Sequence, residues 1–518
     1  MTEQETTTVA KKNTLSAKVL IIIGIIVIGA AAVTYAFWPT SDKTAYFKAE
    51  IETFNYLKDE VTDRFENELA WAEMTKNKPT ATTINASVMY NDPYSFGGYN
   101  EIEEIINQSS VTLHTETDMK KEQLLVDAEA NIAGINFDDF RIYITDQVLL
   151  IDLPFLDDAL QIESEDLSKL LYELDPYTFS EDEDYDFSRI FDLDNYPISE
   201  DDQQYLREKY GKFIYDELPD DAFSSEKDDV SVAGETIKAE KLTAHITEEN
   251  VKDLLSEFFT EIQNDDRFKD IVKDYMKNSF IDEYEIDELL SEFDEGLEEA
   301  KDELDNINLP DGIKSTIWVK NDLIVQREFT FTAMDSFDSK GTLNIKGTHD
   351  FNKEQQVLDY EFAFDDEFTS GKMTINADLS FKDNEINDQV VLSVDDVKLA
   401  YEAHETINKN DREFARSVSF DDSFESGSIH WDGQSTYAKD EMSSDNQIYL
   451  EVDDLDGDIF NLSLDVDSKQ IREVDTPNPD HIKDIGKMSE LEIEEYIYFE
   501  AQDQFFNWYM ENFGMPGF

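Results

Sequence analysis

The sequence predicts an α+β protein: one apolar N-terminal helix, then curved antiparallel sheet with helices packed against it. Three observations lead there. Val19–Trp38 is a run of twenty residues without a charge. Residues 110–153 alternate apolar and polar side chains between short turns, the period of a sheet with one buried face, and 314–475 repeat about every 30 residues, the length of one strand out and one back. Residues 247–307 instead repeat apolar residues at steps of three and four, the spacing of a helix face.

A helix of twenty residues rises about 30 Å, the thickness of a bilayer core. Val19, Leu20, Ile21, Ile22, Ile23, Ile25, Ile26, Val27 and Ile28 form the apolar centre, and Trp38 suits an outer interface. Lys11, Lys12 and Lys18 precede the run, and no acid lies between Glu5 and Asp42. Residues 1–18 are therefore expected as a cytoplasmic tail, 19–38 as a single transmembrane helix of the cell membrane, and the rest as extracytoplasmic. The rival reading is a cleaved signal peptide, processed near Ala30–Ala32 or Thr34–Ala36. Continuation of the run through Phe37 and Trp38 favours the uncleaved anchor.

The 518 residues hold 120 acids against 43 bases, a net charge of −77. Such a field repels nucleic acid, which is excluded as a partner. Apolar residues at 40% and aromatics at 12% are too many for a disordered chain. The absence of cysteine rules out disulfides, thiol nucleophiles and thiolate metal sites.

Along the chain, 43–313 reads as a helix followed by antiparallel sheet. Phe47, Ile51, Phe54, Val61, Phe65, Leu69 and Ala72 give the helix its stripe, ended by Lys78-Pro79. Strands are expected at 82–90, 110–116, 123–133, 136–145 and 148–153. An acidic, aromatic insertion at 154–228 reads as a cover over a sheet face, with a lid as the less favoured reading. The helical segment at 247–307 begins at Thr247, a helix cap. Residues 314–475 repeat: Phe364-Asp365-Asp366 matches Phe420-Asp421-Asp422, with weaker copies at Val394 and at Val452-Asp453-Asp454. A period of about 30 residues fits one strand out and one back, so 314–475 is expected as a β-meander with its Asp-Asp turns at one end. Residues 488–518 close with an aromatic helix in which Ser489 and Glu492 form a capping pattern.

Little in the sequence carries chemistry. His114, His245, His349, His404, His430 and His481 lack metal-ligand spacing. Phosphate-binding glycine loops and a nucleophile elbow are absent, so no enzyme and no cofactor are expected. Asp365, Asp366, Asp421, Asp422, Asp453 and Asp454 are candidate Ca²⁺ ligands, because turns gathered at one sheet end would bring their carboxylates together.

The stretch from Ile142 to Pro154 resembles strands of the lipoprotein-carrier-like fold of exported bacterial proteins. Gly234–Val272 looks similar to uncharacterised exported Firmicute proteins. The first resemblance implies an open half-barrel that wraps a helix and holds an acyl chain. On that reading Leu113, Leu125, Ile142 and Ile144, with Phe258 and Phe259, line a groove for a lipid or apolar ligand. The chain is then a membrane-anchored, non-enzymatic binding protein of the cell envelope, partnered by membrane and by lipid or an envelope protein. The alternative is a structural or sensory envelope protein with an acidic surface, a filled core and no small-molecule ligand.

Overall fold

The fold is taken from a computed structural model that describes residues 41–91, 101–175, 179, 185–191, 199–278, 283–306, 308–334, 340–366, 369–422, 426–452 and 459–513. Two helices, α1 (Asp42–Arg64) and α2 (Glu66–Asn77), lead into β1 (Thr80–Tyr90) and, after α3 (Glu101–Asn107), into β2 (Ser110–Asp118). Strands β3 (Gln123–Ile132), β4 (Ile135–Thr145), β5 (Val148–Asp152) and β6 (Ala159–Glu163) follow. Next come α4 (Ser164–Leu174), α5 (Glu200–Leu206) and α6 (Lys212–Glu217), then β7 (Phe223–Val232) and β8 (Glu235–Ile246). Helices α7 (Glu248–Gln263), α8 (Asp266–Asn278) and α9 (Glu283–Leu304) precede the long meander. It comprises β9 (Ile313–Lys320), β10 (Leu323–Met334), β11 (Lys340–Phe351), β12 (Gln355–Asp366), β13 (Ser370–Lys382) and β14 (Glu385–Val394). It continues through β15 (Val397–Asn408), β16 (Asp411–Asp421), β17 (Ser426–Tyr437), β18 (Glu441–Val452) and β19 (Phe460–Gln470). The described chain closes with β20 (Ile482–Asp484), α10 (Glu490–Tyr496) and α11 (Gln502–Phe513).

All the strands belong to one 20-stranded sheet. Strands β7 to β19 pair in chain order. Strand β1 then inserts between β19 and β2, with Ile84 opposite both Val466 and Leu113. The order continues through β3, β4, β5 and β6 to β20, and only the β6–β20 pair is parallel. Among the described residues no ladder joins β7 to β20, so these two strands are the edges of the described sheet. This corrects the expected α+β half-barrel built around a helix: the molecule is mainly β, a single continuous sheet. The reason is β1, whose two edges are both used and which fuses the early strands to the late meander.

Tight turns hold the meander in register. Asn321-Asp322 and Asp383-Asn384 all take positive φ, the signature of two-residue turns that match strand twist. The turns after β12, β14 and β16 fall at one end of the sheet, and those after β13, β15 and β17 at the other.

Period-two alternation gives the sheet an apolar and a polar face. Helices cover the apolar face over β7–β11. Tyr46, Phe47, Ile214, Leu242, Ile317 and Ile324 form one buried cluster. Val251, Leu255, Phe259, Leu297, Phe329 and Phe331 form the next. Asp265 pins α5 and the helical turn Arg207–Gly211 that follows it to the α7–α8 junction. Its burial opposes charge, but Tyr210, Lys209, Tyr205 and the Phe268 N–H hydrogen-bond to it and hold it well below the usual carboxylate range.

Helices α1 and α2 cross the same face as a strut. Glu50 pairs with Arg327 of β10 at 2.5 Å, Arg64 with Asp388 of β14 at 2.6 Å, Glu68 with Arg412 of β16 at 2.8 Å, and Lys78 reaches Gln470 of β19 at 3.0 Å. From Glu50 to Lys78 the helix advances about 42 Å, and β10 to β19 spans about 43 Å. The helix is broken at Phe65 (φ −117°, ψ 28°). There Arg412 donates to the freed Arg64 carbonyl and lies 4.9 Å over the Phe65 ring, so the kink has a side-chain cause. Arg412 also pairs with buried Glu405, which accepts from Arg416 at 2.7 Å.

Among the described residues no helix is long and apolar enough to cross a membrane. Val19–Trp38 lies outside the described residues. The expected single-pass anchor therefore has no counterpart among the described residues, and neither the cell-membrane placement nor the membrane as partner is supported by them.

Candidate ligand groove on the polar face

Strands β14 to β19 carry acids and amides at alternate positions, and the register gathers them. Glu385, Thr406, Glu413, Gln434, Asp445 and Asp465 are successive cross-strand neighbours on the polar face. Asn387, His404, Ala415, Asp432, Gln447 and Ser463 form the adjacent row. These rows floor an open groove of about 800 Å³. At 4.7–4.9 Å per strand, the row from Glu385 to Asp465 is about 24 Å long. A smaller hollow of about 390 Å³, with Thr83, His114, Ser443 and Asp467, continues the face onto β1 and β2.

No lysine or arginine is among the described residues lining the groove. The arginines of these strands point the other way. Arg412 and Arg416 are locked to Glu405 and Glu68 under the strut. Among the described residues lining the groove, the carboxylates meet amides, hydroxyls and one another, with no lysine or arginine between them. Gln434 donates to Asp445 at 2.5 Å, and the Tyr449 hydroxyl reaches Asp432 at 3.3 Å. Asp445 and Asp465 face each other directly across β18 and β19, an opposition of like charges that costs stability.

The structure scatters the residues that the sequence suggested as ligand-lining. Leu113, Ile142 and Ile144 lie on β2 and β4, and Leu125 of β3 packs on the other face with Tyr143 and Val474. Phe258 and Phe259 belong to the α7 core over β9–β11, far along the strand order. The cavity between α1, α7 and the sheet, lined by Tyr46, Phe47, Leu254 and Phe329, is about 70 Å³. That is about the volume of two waters, too small for an acyl chain. This corrects the expectation of a lipid-holding carrier. The alternative of an envelope protein with no ligand pocket is not favoured either, since the polar face carries an open groove of about 800 Å³.

Asp365, Asp366, Asp421 and Asp422 do lie at one sheet end, whereas Asp453 and Asp454 lie outside the described residues. Strands β12 and β16 are four steps apart, about 19 Å. A Ca²⁺ ion with ligands at about 2.3–2.6 Å cannot bridge them. The closest metal-like grouping, Glu163, Glu165 and Asp166, already has a cation: Lys487 lies 3.0 Å from Glu163 and 3.7 Å from Asp166.

The histidines stay apart. His430 has Ser428 Oγ at 2.8 Å and Glu451 at 3.5 Å, but both approach the same Nε2. A proton relay needs the two partners on different nitrogens. His349 is buried, bonded to Gln356 at 3.0 Å and stacked on Phe351, and burial lowers its pKa to about 4.

No family profile and no curated protein matches this chain. Among solved structures, it is aligned with OccAB2 of Acinetobacter baumannii at 5% identity, over 76% of this chain and 97% of that one, with a TM-score of 0.24. OccK9 (OpdG) of Pseudomonas aeruginosa is aligned at 6% identity, over 76% and 98%, with a TM-score of 0.23. A mutant porin of Rh. blastica is aligned at 8% identity, over 76% and 99%, with a TM-score of 0.22. These alignments do not reproduce the expected lipoprotein-carrier-like half-barrel, and at such scores they do not amount to a shared fold.

Proposed function

We propose that this chain is a binding protein for cationic solutes, which it takes into the groove on the polar face of β14–β19. The observation that carries the reading is the lining: five carboxylates on the polar face (Glu385, Glu413, Asp432, Asp445, Asp465), interleaved amides and no lysine or arginine among the described residues. A groove this long and open suits an extended ligand with several ammonium groups. Each would meet a carboxylate on every first or second strand, while the amides accept its remaining N–H donors. A cation lying between Asp445 and Asp465 relieves their repulsion, so binding is favoured at that point. A net charge of −77 adds long-range attraction for such a ligand.

The test is calorimetric titration of the full chain with spermine, at low and at physiological salt. Binding is expected, weakening as salt rises. The Asp445→Asn, Asp465→Asn double variant is expected to bind roughly tenfold less tightly, about 1.4 kcal/mol. Absence of binding at low salt, or unchanged affinity in the double variant, sinks the reading.

A further inference from the structure

The apolar face changes character beyond the strut. Over β15–β17 the side chains between the α2 crossing and the Asp-Asp turns are uncovered. Leu399, Val418, Phe420, Ile429 and Trp431 keep between 36% and 51% of their surface exposed. They are cross-strand neighbours on one face: Leu399 opposes Phe420, and Val418 opposes Ile429. From the Phe414–Gly433 pair near the strut to the Phe420–Gly427 pair at the turn end is six residues, about 20 Å. A helix with its side chains is about 10–12 Å wide, so the band has room for one lying parallel to α2.

We infer that this band is a docking surface for a basic amphipathic helix of a partner protein. Two features select that occupant. The first is charge. Asp395, Asp396, Asp421 and Asp422 rim the band at the turn end, and Asp365 and Asp366 continue the same line beyond it. They recur every second strand, about 9.6 Å apart. A helix crossing the strands advances about 10.5 Å in seven residues, so bases spaced by a heptad would meet successive turns. The second is the strut. This chain's own α1–α2 already crosses the same face at a pitch that tracks the strands, its first turns buried through Tyr46, Phe47 and Ile51 and its later charged side chains paired with the sheet. A second copy of the chain is a poor occupant, because two partners each carrying −77 repel.

The experiment uses the full chain and a labelled 21-residue helix-forming peptide. It has a leucine stripe flanked by lysines at seven-residue intervals, and its counterpart has glutamates in their place. Fluorescence anisotropy should show binding of the lysine peptide only. Leu399→Ser with Ile429→Ser, both at exposed positions, should weaken it at least tenfold, and Asp395→Asn with Asp396→Asn several-fold. The groove variant Asp445→Asn, Asp465→Asn should leave it unchanged, which separates this surface from the polar groove. Loss of peptide binding in the groove variant but not in the band variant overturns the inference. So does equal binding of the glutamate peptide. Concentration-dependent self-association in sedimentation that the band variant abolishes would assign the band to a second copy instead. Retention on phosphatidylcholine vesicles that the band variant abolishes would assign it to a lipid surface, and either result overturns it.

Discussion

The apolar face over β7–β11 and the same face over β15–β17 have the same alternating pattern and opposite surroundings. Ile317 and Phe331 are fully buried beneath helices, whereas Val418 and Ile429 stand half in water. Both sets are β-branched or aromatic and sit at alternate positions of long strands. Alternation therefore records which face is apolar, not whether anything covers it. Cover comes from elsewhere in the chain: α1, α6, α7 and α9 all converge on one end of the sheet.

Substitutions that remove volume on the two sides break or sharpen this contrast most directly. Phe331→Ala should cost about 4 kcal/mol in urea unfolding, because the cavity it leaves is closed on every side. Ile429→Ala should cost no more than about 1 kcal/mol. Equal costs would mean that the band is covered after all. The boundary between the regions is held by charge. Arg412→Met should cost about 2 kcal/mol, because buried Glu405 loses one of its two arginines and keeps only Arg416. Adding Glu405→Gln should recover part of that loss, and additive losses would show that the pair does not act as a unit.

Acid should act on the covered side. His349 lies under α1 beside Gln356, which bonds to Glu60 at 3.2 Å. Its folded pKa is about 4 against an ordinary 6.5. Between those values the unfolded chain takes up a proton that the buried ring refuses, so stability falls as the pH drops through this window. The loss amounts to something on the order of 2–3 kcal/mol. Stability curves of His349→Gln should be flatter between pH 6.5 and 4, and an unchanged slope would place the acid sensitivity in other groups. The smallest effect belongs to the polar groove. Asp445→Asn should raise the melting temperature by about a degree at low salt and by nothing at high salt, as relief of an exposed like-charge pair predicts.

Much of the secondary structure was legible because it is local. The stripe from Phe47 to Ala72 marks helix, Thr247 accepts from Asn250 N–H at 3.3 Å as a cap should, and Glu492 accepts from Ser489 N–H at 2.9 Å. What the sequence hid depends on distant partners. The break at Phe65 is set by Arg412, which nothing near Phe65 announces. The joining of all strands into one sheet rests on the second edge of β1. The groove was missed for a different reason. With 120 acids, carboxylates are everywhere, and only the register shows that Glu385, Glu413, Asp445 and Asp465 share a row while Arg412 and Arg416 turn away. The signal that would have found it is polar alternation: Glu402, His404 and Thr406, or Asp432, Gln434 and Thr436, repeat hydrogen-bonding groups with period two as faithfully as other strands repeat apolar ones.

The position of β1 also bears on how the molecule is made. Thr82 and Ser468 touch at 2.7 Å although 386 residues separate them. On the ribosome, β1 emerges early and meets β2 at once, but its other edge stays unpaired until the last long strand has been synthesised. Closing so large a loop is entropically costly and slow. The two halves of the sheet must therefore wait for each other, and a chain halted before β19 would expose one raw strand edge on each half, open to pairing with any neighbour.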